Sequence, residues 1–403
     1  MKAVVWHGIG DIRLDQVPDP KIQEPTDAII RITRSAICGT DLHMVRGTVP
    51  DMAEGTVLGH EAVGVVEETG PAVRGFSPGD RVVVTSTIGC GTCSYCRAGY
   101  YAQCDTANPN GPAAGTCFFG GPKSTGPVDG LQAEYARVPY AATSLVRIPD
   151  AVSDDQAILL SDMFPTAWFG AELAEVGPGD SVLVLGAGAV GQFAVAAAKR
   201  QGAGRVLVVD GIASRLDKAR EQNAETIDFN EEDPVAAAKE LTGGIGVDRV
   251  IEAVGVDAER PRSGPAAETT AADAERFERE RAAAAPEGDP GGAQWIPGDA
   301  PSLALQWAVD AAAKAGSIGV VGVYPAGFRS FPIGAAMNKN LTVKMGNCNH
   351  RRYLPGLLDL VLEGTVDPTA FITRHEPPID AVAAYQTFDR REDGWLKTVL
   401  DVA

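Results

Sequence analysis

The sequence lacks any hydrophobic run long enough to cross a membrane, and its first residues do not form the apolar segment of a secretion signal. It also lacks an excess of basic residues, and its net charge of −18 disfavours nucleic acid as a partner. We therefore expect a cytoplasmic protein that binds neither membranes nor nucleic acid. With 403 residues, of which 45% are hydrophobic and 22% charged, the chain can bury a sizeable core in more than one domain.

Histidine occurs only five times, and cysteine occurs an odd number of times, seven. In a reducing compartment cysteines bind metals more often than they form disulfides. Four of them, with spacing typical of a closed tetrahedral zinc site of structural type, are Cys90, Cys93, Cys96 and Cys104. An iron–sulfur cluster also fits this spacing, although no electron-transfer partner is indicated. We expect Cys117 and Cys348 to be packing residues.

A glycine-rich turn follows a short apolar run at residues 181–185 and precedes an alanine-rich, helix-forming segment. The turn consists of Gly186, Ala187, Gly188, Ala189, Val190 and Gly191. A second apolar run ends at Asp210, nineteen residues after Gly191. Glycines at these positions allow a tight turn and the close approach of a pyrophosphate, and the acid can accept hydrogen bonds from a ribose 2′-OH. The alternative is an ordinary glycine-rich turn without a ligand.

The acid at the end of the second strand also predicts which nicotinamide cofactor is preferred. A carboxylate at Asp210 repels a 2′-phosphate, so the sequence favours NAD over NADP. Arg215, five residues further on, could pair with a phosphate and would soften this preference.

The chain divides into two kinds of pattern. Up to about residue 149 it contains short β-rich runs separated by glycine and proline turns, with no helical period of any length, which predicts a mainly antiparallel β domain. From residue 181 strands alternate with helices, which predicts a parallel, doubly wound sheet. The segment from about 257 to 301 is rich in Ala, Glu, Pro and Gly and poor in branched apolar residues, so we expect a disordered insertion. A lid or partner-binding loop is the functional alternative.

Three short clusters, at residues 38–43, 59–61 and 161–166, contain side chains that bind metals or transfer protons. Cys38, His60 and Asp162 together offer S, N and O ligands for a zinc ion with one open position, as catalysis requires. Each residue also has an ordinary interpretation, namely a buried thiol, a histidine hydrogen-bonded in the core and a helix N-cap. In the last case Glu61 would be the third ligand.

These motifs, in this order along the chain, resemble the medium-chain, zinc-dependent alcohol dehydrogenases. The resemblance rests on CGTDLH, GHE, the four-cysteine loop and GAGAVG, and covers nearly the whole chain except the insertion. SDMFPTAWFGAE and EYARVPYA are similar to the formaldehyde dehydrogenase branch.

The resemblance implies a role for each residue at a matching position. The predicted catalytic zinc ligands are Cys38, His60 and Asp162. Thr40 would take the substrate's proton, His43 would end the relay to solvent, Asp41 would orient the histidine ligand, and Glu61 would approach the metal during ligand exchange. The predicted cofactor contacts, besides the glycine-rich turn, Asp210 and Arg215, are Thr166 and Val323 at the nicotinamide and Lys397 at the phosphates.

The implied fold is a Rossmann doubly wound sheet plus a GroES-like, mainly antiparallel β catalytic domain. The predicted catalytic domain spans 1–165 and is completed by 349–403, and the NAD-binding domain spans 166–348. The implied activity is reversible oxidation of a small alcohol with two zinc ions per chain and NAD, in a homodimer or homotetramer. A formaldehyde dehydrogenase, with or without a thiol cosubstrate, and a non-catalytic, zinc-stabilised dinucleotide-binding protein are the alternatives.

Overall fold

The structure, a computed structural model, describes residues 1–288 and 292–402. The chain forms two compact units. Unit 1 consists of Met1–Pro165, Ala293–Trp295 and Asn347–Ala403, and unit 2 of Thr166–Gly292 and Ile296–Gly346. Within the described residues, no helix has both the length and the apolar character needed to span a bilayer.

The strands, in chain order, are β1 Lys2–Gly8, β2 Asp11–Gln16, β3 Ala28–Ile37, β4 Ala62–Thr69, β5 Arg81–Val84, β6 Tyr135–Val138, β7 Leu145–Arg147, β8 Ser181–Leu185, β9 Arg205–Asp210, β10 Glu225–Asp228, β11 Val247–Glu252, β12 Ala312–Val320, β13 Thr342–Met345, β14 Arg374–Glu376 and β15 Thr398–Asp401. The α-helices are α1 Gly39–Arg46, α2 Ser94–Arg97, α3 Ala141–Ser144, α4 Asp154–Ser161, α5 Met163–Leu173, α6 Ala189–Arg200, α7 Ala213–Glu221, α8 Pro234–Leu241, α9 Gly264–Thr270, α10 Ala274–Ala284, α11 Leu303–Ala311, α12 Ile333–Asn338, α13 His350–Leu362 and α14 Ala381–Asp389.

Unit 1 is built on a mainly antiparallel sheet. Its strand order is β14-β15-β3-β4-β5-β7, β6 pairs with β3, and β1 and β2 form a separate hairpin. The two strands of the chain's last part enter this sheet, because β15 pairs antiparallel with β3 and parallel with β14. The N-terminal region and the end of the chain therefore share one sheet.

Unit 2 is built on a parallel sheet with the order β10-β9-β8-β11-β12-β13. This is the strand order 3-2-1-4-5-6 of a dinucleotide-binding fold, in which β8 and β11 lie at the point where the order reverses. The apolar runs of β8 and β9 are buried, as strands covered on both faces must be. The predicted α/β class, with a doubly wound sheet and a second, mainly antiparallel sheet, is confirmed.

The sequence predicts only short β strands before residue 149, but the structure also contains the helix α1 there. It is one of three short helices there, with α2 and α3. Helices of four to eight residues are too short to show a helical period, and α1 is set by its capping residues rather than by periodic apolar positions.

The segment expected to be disordered contains α9 and α10. Ala266 and Phe277 from these helices are fully buried in the core of unit 2. Near its ends, the N–H of Gly298 donates to Oδ1 of Asp257 at 3.0 Å. Disorder was expected because the segment is rich in Ala, Glu, Pro and Gly and poor in branched apolar residues, whereas close packing here uses alanine and one aromatic ring. Part of the predicted insertion, 289–291, lies outside the described residues.

We predict that Phe277→Ala destabilises unit 2 by about 3–5 kcal/mol, because it removes a fully buried aromatic ring and leaves a cavity. Glu278→Ala, at an exposed position of the same helix, is the control and should change stability by less than about 0.5 kcal/mol. Denaturant unfolding of both variants measures the difference. Equal stability of the two variants would show that the segment contributes nothing to the core.

Candidate active site

Cys38 precedes helix α1 and is fixed by capping interactions. Its Sγ accepts the backbone N–H of Thr40 at 3.4 Å, and Oδ2 of Asp41 accepts the N–H of Cys38 at 2.9 Å. These reciprocal contacts form a capping box, in which a thiol replaces the usual hydroxyl. The local sequence Cys-Gly-Thr-Asp therefore holds a buried sulfur at the start of a helix.

His60 is oriented by the other oxygen of Asp41. Nδ1 of His60 lies 3.1 Å from Oδ1 of Asp41, and its Nε2 faces Oδ2 of Asp162 at 3.4 Å. The preceding residue, Gly59, has a φ of 92°, and a Cβ there would lie 2.4 Å from Cγ of Gln132. Glycine is therefore required at this position for the histidine to enter the site.

Asp162 lies where α4 ends and α5 begins, with a φ of −142° and a ψ of −59°. Its Oδ2 lies 3.7 Å from Sγ of Cys38, and its Oδ1 lies 2.7 Å from Nε2 of His350. One ligand atom from each of Cys38, His60, Glu61 and Asp162 falls within 4.8 Å of all the others, and all four residues are buried.

This donor set fits a zinc ion. Sulfur, imidazole nitrogen and carboxylate oxygen are its usual ligands in proteins. Oε2 of Glu61 is buried and has no hydrogen-bond partner among the described residues, so the cluster contains an acceptor that a cation would satisfy.

The pKa values within the cluster reflect burial opposed by close charges. Burial raises the pKa of the Cys38 thiol. Burial alone would lower the pKa of His60, but the charges of Asp41 and Cys38 raise it well above its ordinary value. Burial alone would raise the pKa of Asp162, but hydrogen bonds from His350 and His60 bring this pKa well below its ordinary range. Asp162 is therefore held as a carboxylate.

The four-cysteine loop forms a second cluster of ligand atoms within 4.8 Å, made by Cys90, Cys93, Cys96 and Cys104. Helix α2 begins inside it, with Cys93 as the N-cap. Burial raises the pKa of Cys104, and three backbone N–H groups that its Sγ accepts, from Cys90, Thr106 and Ala107, act against this rise. Although burial raises the pKa of Cys90, hydrogen bonds from Thr92 bring it to about 6.

In unit 2 the glycine-rich turn joins β8 to α6. Gly186 has a φ of 88°, which favours glycine, and a Cβ at Gly191 would lie 1.8 Å from the carbonyl oxygen of Gly186. A Cβ at Gly188 would meet nothing within 4 Å, so that side of the turn is open. Ala189 and Val190 begin α6, and their position leaves backbone N–H groups at a helix start, where phosphates bind.

Asp210 ends β9 and contacts the glycine-rich turn directly. Its Oδ2 accepts the N–H of Ala187 at 2.7 Å, and its Oδ1 accepts the N–H groups of Gly211 and Ile212. Nη1 of Arg215 lies 4.0 Å from Oδ2. The acid is thus fixed beside the turn, with an arginine next to it.

Comparison with known proteins identifies the family. The profile described as "Alcohol dehydrogenase GroES-like domain" matches residues 24–150, and that described as "Zinc-binding dehydrogenase" matches residues 189–263. The zinc-type alcohol dehydrogenase-like protein AdhB of Bacillus subtilis is 35% identical over 404 residues, covering 99% of this chain and 100% of that protein. The chain belongs to the medium-chain, zinc-dependent alcohol dehydrogenase family. The predicted resemblance is confirmed at this level.

Two further proteins are similar to this chain. The solved structure of alcohol dehydrogenase TADH from Thermus sp. ATN1 has a TM-score of 0.81 and 32% identity, covering 100% of both chains. The glutathione-independent formaldehyde dehydrogenase of Pseudomonas aeruginosa is 38% identical over 272 residues, covering 64% of this chain and 66% of that protein.

Lys397, for which the resemblance implies a contact with the cofactor phosphates, is buried in unit 1. It is 1% exposed, and its Nζ donates to Oε1 of Glu61 at 2.6 Å and to the carbonyl oxygen of Ile37 at 3.1 Å. The contact with the cofactor phosphates that the resemblance implies stays a prediction. A buried carboxylate requires a cation, and Lys397 serves Glu61 in that way.

The other predicted residues are distributed over both units of the dehydrogenase. Thr40 is half-buried beside Cys38, and Nδ1 of His43 lies 2.9 Å from Oγ1 of Thr48. Thr166 lies on α5 in unit 2, and Val323 follows β12, where its carbonyl oxygen accepts the N–H of Val256.

His350 is a site residue that the sequence interpretation missed. It contacts Asp162, yet it is far from the three clusters in sequence, and the metal-binding type of residue nearest to it, Cys348, forms no recognised motif with it. Gln132 was also missed, although it donates to Asp41 at 3.3 Å and accepts from Tyr385 at 2.7 Å. Only the tertiary structure identifies such partners.

We predict that Cys93→Ser lowers the zinc content of this dehydrogenase by one ion per chain and lowers its melting temperature, because metal binding at a four-sulfur site contributes folding free energy. Cys117→Ser is the matched control, since Cys117 is a buried thiol outside the cluster and its replacement should leave the metal content unchanged. Metal analysis after gel filtration gives the count. Equal zinc content in wild type and Cys93→Ser would rule out a metal in this loop.

Proposed function

We propose that this chain catalyses the reversible, NAD-dependent oxidation of a small alcohol to an aldehyde or ketone. The observation that carries the proposal is the convergence of Sγ of Cys38, Nε2 of His60 and Oδ2 of Asp162 in one buried cluster. Three protein ligands with a fourth position available is the arrangement of catalytic zinc sites. Membership of the zinc-dependent alcohol dehydrogenase family supports the same activity.

Cys38, His60 and Asp162 would hold the zinc ion, which acts as a Lewis acid on the alcohol oxygen. Oδ1 of Asp41 lies 3.1 Å from Nδ1 of His60, which leaves Nε2 of His60 to serve as the metal ligand. The hydroxyl of Thr40 receives the proton of the substrate, and His43, paired with Thr48, passes it on toward solvent. Lys397 neutralises Glu61 and thereby limits the negative charge of the cluster.

In unit 2 the N–H groups at the start of α6 would bind the pyrophosphate of NAD. Asp210 is held beside them by three backbone donors and would accept a hydrogen bond from the ribose 2′-OH. Bound there, NAD would supply the acceptor for the hydride of the alcohol carbon. Thr166 and Val323 would line the nicotinamide.

Formaldehyde oxidation is the second candidate activity. The similarity to the glutathione-independent formaldehyde dehydrogenase of Pseudomonas aeruginosa over 64% of this chain favours it. A screen with small primary alcohols, aromatic alcohols, sugar alcohols and formaldehyde, the last with and without an added thiol, separates the two candidates.

We predict that the zinc-loaded protein reduces NAD with at least one of these alcohols, and that its kcat/KM with NAD exceeds that with NADP by about tenfold or more. The carboxylate of Asp210 repels the 2′-phosphate, and a repulsion of ~1.4 kcal/mol corresponds to that factor. Formation of NADH, followed by absorbance, measures both rates. Comparable values for the two cofactors would contradict the assignment of Asp210, and no turnover of any substrate would contradict the proposed activity.

We predict that Asp162→Asn loses the zinc of the cluster and that its kcat/KM falls more than ~100-fold. Replacing a residue that only hydrogen-bonds to a metal ligand costs up to ~100-fold, and loss of a ligand should cost more. Asp162→Cys should keep the metal, because a thiolate is a good zinc ligand. Asp150→Asn, at an exposed position shortly before α4, is the control and should behave as wild type. Full activity and unchanged zinc content in Asp162→Asn would show that Asp162 is not a ligand.

A further inference from the structure

The two carboxylate oxygens of Asp162 face different partners. Oδ2 faces the ligand cluster, at 3.4 Å from Nε2 of His60 and 3.7 Å from Sγ of Cys38. Oδ1 lies 2.7 Å from Nε2 of His350. An ionised carboxylate can only accept hydrogen bonds, so Nε2 of His350 carries the hydrogen and donates it.

His350 is itself held in place by neighbouring groups. It is 2% exposed, begins helix α13, and its Nδ1 lies 3.0 Å from Oγ1 of Thr87. The preceding residue, Asn349, accepts the N–H of Ala102 at 2.9 Å through its side-chain oxygen. Ala102 lies within the four-cysteine loop. The imidazole therefore has little freedom to leave Asp162.

The side chain of aspartate does not fix its own carboxylate. Rotation about its terminal torsion is broad, so the direction of each oxygen depends on the groups that donate to it. Loss of the hydrogen bond at Oδ1 would remove one of the interactions that fix the direction of this buried carboxylate, and the carboxylate could then turn. Oδ2 would then leave its place opposite Cys38 and His60.

We propose that His350 is a positioning residue for the zinc ligand Asp162, which it holds by a hydrogen bond to Oδ1 so that Oδ2 is directed into the ligand cluster. This inference rests on the proposed function, because it takes Asp162 as a metal ligand. Asp41 orients His60 from one side of the cluster, and His350 orients Asp162 from the other.

Two matched substitutions separate positioning from general packing. In His350→Gln the amide nitrogen can occupy the place of Nε2 and still donate to Asp162. In His350→Asn the amide is one methylene shorter and reaches only the place of Nδ1, near Thr87. His375→Gln, at an exposed histidine, is the control.

The measurements are the zinc affinity of the cluster, by chelator competition, and the visible spectrum after replacement of its zinc by cobalt. We expect His350→Asn to weaken metal binding about 10- to 100-fold, which is the range typical for replacing a residue that hydrogen-bonds to a metal ligand. We also expect this variant to change the cobalt spectrum. His350→Gln should restore most of the affinity and the wild-type spectrum, and the control should match wild type.

An equal loss of affinity in the Gln and Asn variants, including a common failure to fold, would overturn the inference, since a purely structural histidine predicts that result. Wild-type affinity and spectrum in His350→Asn would overturn it as well. These readouts do not require turnover. If the wild type binds zinc in the cluster but oxidises no alcohol, the proposed activity fails while the positioning of Asp162 by His350 is still decided by the two variants.

Discussion

Three carboxylates buried close together govern the structure of unit 1. Asp41, Glu61 and Asp162 lie in or beside one cluster, and a buried carboxylate is costly unless a cation or hydrogen-bond donor accompanies it. Each has a partner from a different part of the chain: Asp41 faces His60, Glu61 binds Lys397 and Asp162 binds His350. The last two partners lie on α13 and just before β15, so these pairs add to the contacts that join the last part of the chain to unit 1. The candidate active site and the fold of this unit therefore depend on the same pairings.

Local motifs allowed much of the site to be predicted from the sequence. Cys38 with Asp41, the four-cysteine loop, and the glycine-rich turn with Asp210 each act over short distances along the chain, and their spacing determines their geometry. Alternation of strands and helices likewise indicated the parallel sheet of unit 2. Lys397 and His350 could not be assigned in this way. Each lies more than 150 residues from the carboxylate that it binds, and a single basic side chain gives no indication of its partner.

Composition was a poor guide to the segment between β11 and α11. Few branched apolar residues indicated disorder, but alanine packs closely between helices, and one buried ring at Phe277 provides an anchor. Asp257 and Asp299, which count only as charges in a composition, accept backbone N–H groups and close the ends of the segment. Hydrophobic content alone therefore does not account for the hydrogen bonds that hold this polar segment in place.

The choice of ligands also affects the resistance of the two clusters to oxidants. Only Cys38 contributes sulfur to the cluster that contains Asp162, so no disulfide can form among its members. In the four-cysteine cluster the sulfurs of Cys93 and Cys104 lie 3.9 Å apart, so disulfides can form there when no metal is bound. Cross-linking between cysteines is therefore possible within the four-cysteine loop but not within the cluster that contains Asp162. With a carboxylate in place of a second thiolate, the proposed site offers no partner for a disulfide to Cys38.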